Sequence, residues 1–304
     1  MKTDYPGSEP RVRTGRTEKV CAVIVSYNSG SAIFRTIDAI LPQVAGLLIV
    51  DNGSGEETRR QIQYAASMHK VVVHAEPVNL GVAAALNRGV EYARSNGYEW
   101  LLTMDQDSIA GPQMVETLLA CRESHYAGDQ AVVSLSPAIV DSHYRGMAKN
   151  RKLRQRHEAR LVVITSGHLV KLSAYDKIGT YDERMFIDSV DFEFCLRLKA
   201  AGLKTIRCYD AKLYHSLGAR KSFKLLGWQI TFTEHSAIRR YYITRNHVYI
   251  TSKYLFRFPM WCIRKHLGML VLIFQILLLE TDKLENSRQI LRGFIDGVRA
   301  TIRG

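Results

Sequence analysis

The first two hundred residues alternate short apolar runs with stretches in which apolar side chains recur every three or four positions. Residues 20–25 form the first run, which is typical of a strand covered on both faces. Ile33 and Ile37 then recur at helical spacing until Pro42, which predicts an early helix end. Further strands are predicted at 47–50, 70–75, 100–104, 131–135 and 161–164, and further helices at 56–68, 82–95 and 112–123. This alternation predicts an α/β fold with a doubly wound, mostly parallel sheet flanked by helices.

Polar residues follow three of these strands at the point where each one ends. They are Ser26-Tyr27-Asn28, Asp51-Asn52 and Asp105-Gln106-Asp107. Each group alone is typical of a turn, because Asn, Asp and Gly suit turn geometry. Ligands of parallel α/β sheets bind outside the carboxyl ends of strands, so the three groups together favour a nucleotide site.

Asp105 and Asp107 are candidate metal ligands, because paired carboxylates suit Mg²⁺ or Mn²⁺ and such an ion suits a diphosphate. The spacing alone is weak evidence, since Asp191/Glu193 and Glu280/Asp282 share it. The position at a strand end favours the first pair. The chain also lacks G-x-G-x-x-G after its first strand and lacks a P-loop, which makes a metal the expected holder of the diphosphate.

A second acidic cluster lies at the start of a predicted helix and contains Asp188, Asp191 and Glu193. Acids at a helix start can cap the helix and complement its dipole. A carboxylate placed within reach of an acceptor hydroxyl can instead act as a general base. The residues alone leave both interpretations open.

The net charge of +13 is concentrated at one end of the chain, because residues 204–304 hold 18 Lys and Arg against 6 Asp and Glu. A basic region binds phosphate in nucleic acid, in nucleotides or at an anionic membrane surface. No nucleic-acid module is recognisable, although a non-enzymatic phosphate- or nucleic-acid-binding protein stays an alternative. The five cysteines form no C-x-x-C pair, which favours a reducing compartment over a zinc site or a disulfide framework.

Three segments outside the alternating pattern carry further predictions. Residues 267–279 are apolar but fall short of the roughly 20 residues of a membrane span, so they are expected to lie in a membrane interface or to pack on the protein. Residues 149–160 hold six basic residues and are interpreted as a solvated loop or a lid. Residues 1–19 are polar, lack the apolar stretch of a secretory signal and are predicted to form a flexible tail.

The order of these motifs resembles the bacterial family-2 glycosyltransferases, which have the nucleotide-diphospho-sugar transferase (GT-A) fold. The resemblance runs from Val20 to Gly218 and rests on segments 23–28, 50–54, 79–81, 87–89, 104–108 and 191–197. It implies a GT-A catalytic domain at 20–218. Residues 219–304 are expected to form a helical, basic and apolar extension that associates with membrane.

The resemblance also implies roles for individual residues. Asp191 corresponds to the family's catalytic base, and Asp188 is a second candidate because Val190 stands where many members carry Glu. Asp105, Asp107 and His215 would hold Mg²⁺ or Mn²⁺. The donor-binding residues would be Ser26, Tyr27, Asn28, Asp51, Asn79, Gly81, Asp105 and Gln106. The residues on the acceptor side would be Ser166, Gly167 and Glu193.

Residues 186–195 look most similar to the rhamnosyltransferase branch, so the implied activity is inverting transfer of L-rhamnose from dTDP-L-rhamnose in surface polysaccharide synthesis. A UDP-sugar donor is the alternative. A sugar nucleotidyltransferase is a second enzymatic alternative, but this chain lacks the glycine-rich start expected of such an enzyme. Residues 237–241 replace the Q-x-x-R-W motif of processive synthases, which favours transfer of one sugar per encounter. The expected partners are a glycan or lipid-linked glycan acceptor and an anionic membrane, with no nucleic acid. The expected location is cytoplasmic, peripheral on the inner face of the plasma membrane.

Overall fold

The computed structural model describes residues 15–69, 71–141, 156–215, 220–225, 228–233, 236–279 and 282–303. Its first half alternates strands and helices in the predicted order. In chain order these elements are β1 (Val20–Ser26), α1 (Ala32–Ile40), β2 (Gly46–Asn52), α2 (Glu56–His69), β3 (Val72–Glu76), α3 (Val82–Ser95), β4 (Trp100–Asp105), β5 (Ile109–Ala110), α4 (Met114–Tyr126) and β6 (Val132–Asp141). A short 3₁₀ turn that contains Pro42 follows α1, so the helix ends where the proline predicts.

The second half adds shorter strands and three long helices. Its elements are β7 (His157–Arg160), β8 (His168–Lys171), α5 (Leu172–Ile178), α6 (Val190–Ala200), β9 (Lys204–His215), β10 (Arg220–Leu225), β11 (Trp228–Thr233), α7 (Ala237–Tyr254), α8 (Pro259–Leu279) and α9 (Lys283–Arg303). The strands β10 and β11 pair with each other in a separate antiparallel ribbon.

The main sheet has the strand order β3-β2-β1-β4-β8-β6-β9-β5, and β7 pairs with β9 beside this path. The strands β3, β2, β1 and β4 are parallel, as the alternation predicts, and so are β6 and β9. The pairings of β8 with β4 and β6, and of β9 with β5 and β7, are antiparallel. The sheet is therefore mixed, with β8 inserted antiparallel between β4 and β6.

Two apolar layers cover the opposite faces of this sheet, and β1 shows how the sequence fills both. Val20, Ala22 and Ile24 belong to the layer that contains α1, whereas Cys21 and Val23 belong to the layer that contains α3 and α6. Side chains alternate between faces along a strand, so a strand covered on both sides must be apolar at every position. The continuous apolar run of β1 is explained by this double burial.

The prediction of a strand at residues 161–164 is wrong. Residues 161–164 carry no strand pairing, and the strands of this region are β7 and β8 on either side of it. Val163 is buried, and its carbonyl oxygen accepts from the Cys195 thiol at 3.8 Å. An apolar run of four residues meets the need for burial without a strand, which is why periodicity alone misassigned it.

The helices α7, α8 and α9 form the C-terminal end of the described chain. Glycines let α9 pack closely on α7, since a Cβ at Gly293 would lie 2.5 Å from the Tyr241 carbonyl oxygen and one at Gly297 would lie 2.8 Å from that of Arg245. None of the described helices combines the length and apolar character that a membrane crossing requires.

Several predicted boundaries fall on residues outside the described ranges. They include residue 218 at the end of the predicted catalytic domain, residues 1–14 of the predicted tail and residues 149–155 of the predicted loop. Within the described part of these segments, residues 17–19 form a 3₁₀ turn and residues 157–160 form β7, not a loop.

Candidate active site

The candidate site lies where the parallel strands β1, β2 and β4 end. Ser26 pairs in register with Asp51, and Val25 pairs with Asp105, so the polar residues that end these strands share one edge of the sheet. The structure therefore brings together the three polar groups that the sequence singles out. This edge is the one at which parallel α/β sheets bind ligands.

The residues predicted to hold a nucleoside form a connected network. The Tyr27 N–H donates to Gln106 Oε1 at 2.7 Å, and the Gln106 amide donates back to the Tyr27 carbonyl at 3.3 Å. The Asn28 N–H donates to Ser54 Oγ at 2.9 Å, and Asn28 Oδ1 accepts from the Gly55 N–H at 2.9 Å. These hydrogen bonds connect the end of β1 to the ends of β2 and β4.

Asp51 is only 1% exposed, yet one of its carboxylate oxygens has no hydrogen bond. Oδ1 accepts from the Ser54 N–H at 3.1 Å, whereas Oδ2 has only the Arg59 guanidinium at 3.4 Å. Buried polar atoms are almost always hydrogen-bonded, so an unsatisfied oxygen fits a site that receives a donor group from a ligand.

Asn79 and Gly81 shape the loop that leads into α3. Asn79 Oδ1 accepts from the Asn52 amide at 3.0 Å and from the Gly81 N–H at 2.9 Å. Gly81 has φ of +91°, and a Cβ there would lie 2.6 Å from the Phe186 carbonyl oxygen. Only glycine fits this backbone and this close approach, so the loop is held against the segment that precedes Asp191.

Three predicted metal ligands converge beside this network. The ligand atoms of Asp105, Asp107 and His215 all lie within 4.8 Å of one another. Burial raises the pKa of Asp105 to about 6, the adjacent His215 lowers it and Asp107 raises it. Two carboxylates and one imidazole are a donor set that suits Mn²⁺ or Mg²⁺, so these residues fit a divalent ion.

A chain of hydrogen bonds fixes the histidine of this group. The Asp105 N–H donates to Ser166 Oγ at 3.1 Å, and the Ser166 hydroxyl donates to Ser108 Oγ at 2.7 Å. Ser108 Oγ in turn lies 2.7 Å from His215 Nδ1. Ser166 is fully buried and acts here as a support for the metal group, whereas the sequence assigned it to the acceptor side.

Gly167, also assigned to the acceptor side, is packed into the protein. Its N–H donates to the Thr103 carbonyl at 2.8 Å, and a Cβ there would lie 2.9 Å from Pro137 Cγ. Its backbone contacts place the start of β8 beside β4.

Asp191 lies in the first turn of α6, and burial raises its pKa to about 7. The Phe192 N–H donates to Asp191 Oδ1 at 2.9 Å, and this bond and Lys265 lower the pKa, whereas the charges of Asp105 and Asp188 raise it. A carboxylate that titrates near neutral pH suits general-base catalysis. The charge of Asp105 is thus one of the influences on the pKa of Asp191.

Asp188, the second candidate base, is occupied by Arg239. The guanidinium donates to both carboxylate oxygens at 2.9 and 2.8 Å. Asp188 and Ser189 have φ of 63° and 64°, and the Asn246 amide holds this strained turn by donating to the carbonyls of Ile187 and Asp188. Strained backbone of this kind is typical of functional sites. Asp188 is therefore held in an ion pair, whereas Asp191 accepts from a backbone N–H.

Glu193 forms hydrogen bonds with two side chains of α7. It is 1% exposed, and its oxygens accept from Arg197 at 2.8 Å, Lys253 at 2.8 Å and Tyr254 at 3.1 Å. These bonds anchor α7 to α6. The predicted role of Glu193 on the acceptor side stays a prediction.

Sequence reasoning missed Lys265 and Arg239, which the C-terminal helices bring to the site. Lys265 Nζ lies 3.6 Å from the centre of the Phe192 ring, and burial lowers its pKa while Asp191 raises it. The only sequence signal was a basic cluster that precedes an apolar segment, and such clusters are common beside membrane-associated helices.

The sequence of this chain matches a known family and several known proteins. The family model described as glycosyl transferase family 2 matches residues 21–176. The chain is 27% identical to the dTDP-rhamnosyl transferase RfbF of Shigella flexneri, over 94% of this chain and 97% of that protein. It is 24% identical to the galactofuranosyltransferase GlfT1 of Mycolicibacterium smegmatis, over 78% of this chain and 84% of that protein.

Solved structures show the same architecture. The mannosyltransferase PcManGT of Pyrobaculum calidifontis, in complex with GDP-Man and Mn²⁺, superposes with a TM-score of 0.55 at 13% identity, over 99% of this chain and 91% of that one. The predicted GT-A-like fold, with helices flanking the sheet and C-terminal helices added, is confirmed.

Proposed function

Because this chain belongs to glycosyl transferase family 2, we propose that it transfers L-rhamnose from dTDP-L-rhamnose to a glycan or lipid-linked glycan, with inversion at the anomeric carbon. The observation that carries the proposal is the group of Asp105, Asp107 and His215 beside Asp191, whose pKa is about 7. The likeness to a dTDP-rhamnosyl transferase over nearly the whole chain supports this donor. A UDP-sugar is the second donor to test.

Asp191 is the proposed general base. The acceptor hydroxyl oxygen forms a bond to the anomeric carbon, the bond from that carbon to the diphosphate oxygen breaks, and the hydroxyl proton passes to the Asp191 carboxylate. With a pKa of about 7, a large share of Asp191 is ionised at neutral pH. Its basicity still exceeds that of an ordinary carboxylate, which favours proton transfer.

Asp105, Asp107 and His215 would hold Mg²⁺ or Mn²⁺. When bound, the ion supplies Lewis-acid stabilisation of the departing nucleoside diphosphate. Ser108 Oγ lies 2.7 Å from His215 Nδ1 and orients the imidazole, so Nε2 would be the nitrogen that holds the ion. The unsatisfied oxygen of Asp51 would accept from the nucleoside base.

The surface of α8 and α9 is the proposed contact with an anionic membrane at the cytoplasmic face. The two helices expose large apolar side chains along their outer sides: Met260, Ile263, Leu267, Leu270, Val271, Phe274, Leu278, Leu284, Leu291, Phe294, Ile295, Val298 and Ile302. Arg288, Arg292 and Arg299 flank those of α9. An apolar stripe flanked by arginine is typical of helices that lie in the interface of anionic bilayers.

Calorimetric binding of dTDP, UDP and GDP, each with and without Mn²⁺, tests the donor site. We expect Mn²⁺-dependent binding of dTDP that Asp107→Ala abolishes, with Asp38→Ala, an exposed carboxylate on α1, as the matched control. A preference for UDP would support the proposed transferase activity but indicate a different donor sugar. If no nucleotide binds in a metal-dependent way, the proposal fails.

A further inference from the structure

A cavity of about 420 Å³ lies between α7, α9 and the loop that leads to α6, and three of its nine lining residues are arginines. Arg184 comes from the loop, Arg245 from α7 and Arg299 from α9. A second cavity of about 430 Å³ shares Arg299 and Asp296 with the first and adds Arg288 and Arg292. The two cavities together form a basic trough along α9.

Positive charge exceeds negative charge in this trough. Its five arginines meet two carboxylates: Asp296 lies 3.2 Å from Arg299 and 4.0 Å from Arg292, and Asp182 pairs with Arg184 at 2.8 Å. A surplus of guanidinium groups around an open cavity favours a multivalent anion, because the planar guanidinium matches phosphate oxygens in geometry and charge.

Aromatic rings hold several of these guanidinium groups in place. Arg184 lies 4.7 Å from the centre of the Tyr249 ring, and Arg292 lies 5.3 Å from that of Tyr241. Arg245 lies 4.9 Å from the centre of the Tyr242 ring, and it donates to the Arg184 carbonyl oxygen. Cations fixed in this way lose little freedom when an anion binds.

The trough lies between a segment near the candidate active site and the exposed apolar side of α9. On one side, Asn246 lines the cavity and also donates to the carbonyls of Ile187 and Asp188, three residues before Asp191. On the other side, Leu291 and Ile295 line the second cavity and are exposed. A molecule with an apolar tail, a central anion and a sugar would meet all three environments in that order.

We propose that this trough binds the diphosphate of a lipid-linked sugar acceptor. The apolar tail lies along α9 towards the membrane, and the sugar extends past Arg184 to Asp191. The inference rests on the proposed function and deepens it, because it selects a diphosphate-linked lipid over a free glycan as the acceptor.

Binding of geranyl diphosphate, a diphosphate on a short prenyl chain, tests the trough without knowledge of the acceptor sugar. Saturating dTDP and Mg²⁺ occupy the donor site, and calorimetry compares wild type with Arg299→Ala, Arg292→Ala and the control Arg264→Ala. Arg299 is 67% exposed, so its loss leaves the fold intact. Arg264 is an exposed arginine on α8 that lines neither cavity.

We expect Arg299→Ala and Arg292→Ala each to weaken geranyl diphosphate binding about tenfold, the value of one charged hydrogen bond, and Arg264→Ala to leave it unchanged. Geraniol should bind all four proteins equally weakly. Equal diphosphate binding in all four proteins, or none in wild type, overturns the inference.

Vesicles with and without phosphatidylglycerol separate the acceptor from a membrane headgroup. If the two trough variants lose vesicle binding but keep geranyl diphosphate binding, the trough binds headgroups and the inference is wrong. Failure of the proposed function has a different signature, which is absent metal-dependent binding of dTDP in wild type.

Discussion

Replacement of Asp191 by asparagine is expected to slow transfer by orders of magnitude and to stabilise the protein above neutral pH. Burial raises the pKa of Asp191 to about 7, whereas an aspartate in an unfolded chain titrates near 3.9. Above pH 7, the folded protein must hold an ionised carboxylate that its surroundings disfavour. A difference of about 3 pKa units, at about 1.4 kcal/mol each, sets an upper limit of roughly 4 kcal/mol. Because the side chain keeps some exposure, we expect about 2 to 4 kcal/mol.

The pH dependence gives this prediction a distinctive shape. Since the folded-state pKa is raised, the contribution of Asp191 to the free energy of unfolding is most favourable below about pH 4 and falls as the pH rises towards 7. Asparagine carries no charge and can still accept from the Phe192 N–H. The two proteins should therefore be similar near pH 4 and differ most above pH 7.

Thermal unfolding between pH 4.5 and 8.5, in chelator and without donor, measures the difference. Asp191→Asn should raise Tm at pH 8 by roughly 4 to 10 °C, with a smaller gain at pH 4.5. Asp38→Asn, at a side chain that is 63% exposed, should show no such trend. Transfer should fall about 10²- to 10⁴-fold. A lower Tm at pH 8, or a gain that ignores pH, would refute the burial argument, and a fully active variant would refute the base assignment.

Three further substitutions test the surroundings of the site. Lys265→Met should move the acid limb of the kcat/KM profile upward by about half a pH unit or more, because the ammonium lowers the pKa of Asp191, and full activity should return at high pH. Ser108→Ala should weaken Mn²⁺ binding about tenfold in calorimetry, since the metal-group histidine loses its hydrogen bond. Gly81→Ala should destabilise the protein by about 2 kcal/mol or more in denaturant unfolding, whereas Gly97→Ala, also at positive φ but with open space around it, should cost less.

The grouping of polar residues at one edge of the sheet could be predicted from the sequence, because the ends of parallel neighbouring strands lie at the same edge. Once β1, β2 and β4 are recognised as parallel neighbours, register places Ser26, Asp51 and Asp105 together regardless of their side-chain contacts. His215 is the last residue of β9, which pairs with β6 rather than with the parallel strands β1, β2 and β4, and only the family resemblance pointed to it. Its convergence with Asp105 depends on a pairing between distant segments, which no local pattern encodes.

The cations around Asp188 and Asp191 could not be predicted from local sequence patterns either, because they come from distant segments of the chain. Asp188 and Arg239 are separated by 51 residues, and their pairing decides which of two neighbouring acids is free to act as a base. Lys265 reaches the Phe192 ring only because α8 packs beside α6. A spacing rule can propose several carboxylates, but the choice among them depends on which cation packing brings to each.

The helix α9 shows most clearly what an amphipathic pattern leaves open. Its apolar positions recur at helical spacing, and such a face ordinarily packs on the protein. In this structure the glycine side packs on α7, because Gly293 and Gly297 allow a close approach that larger residues would prevent. The apolar side, which runs from Leu284 to Ile302, is left exposed. Exposed apolar area of this extent requires a partner in solution, so the same two glycines that dock α9 also create the surface for which a membrane is the proposed partner.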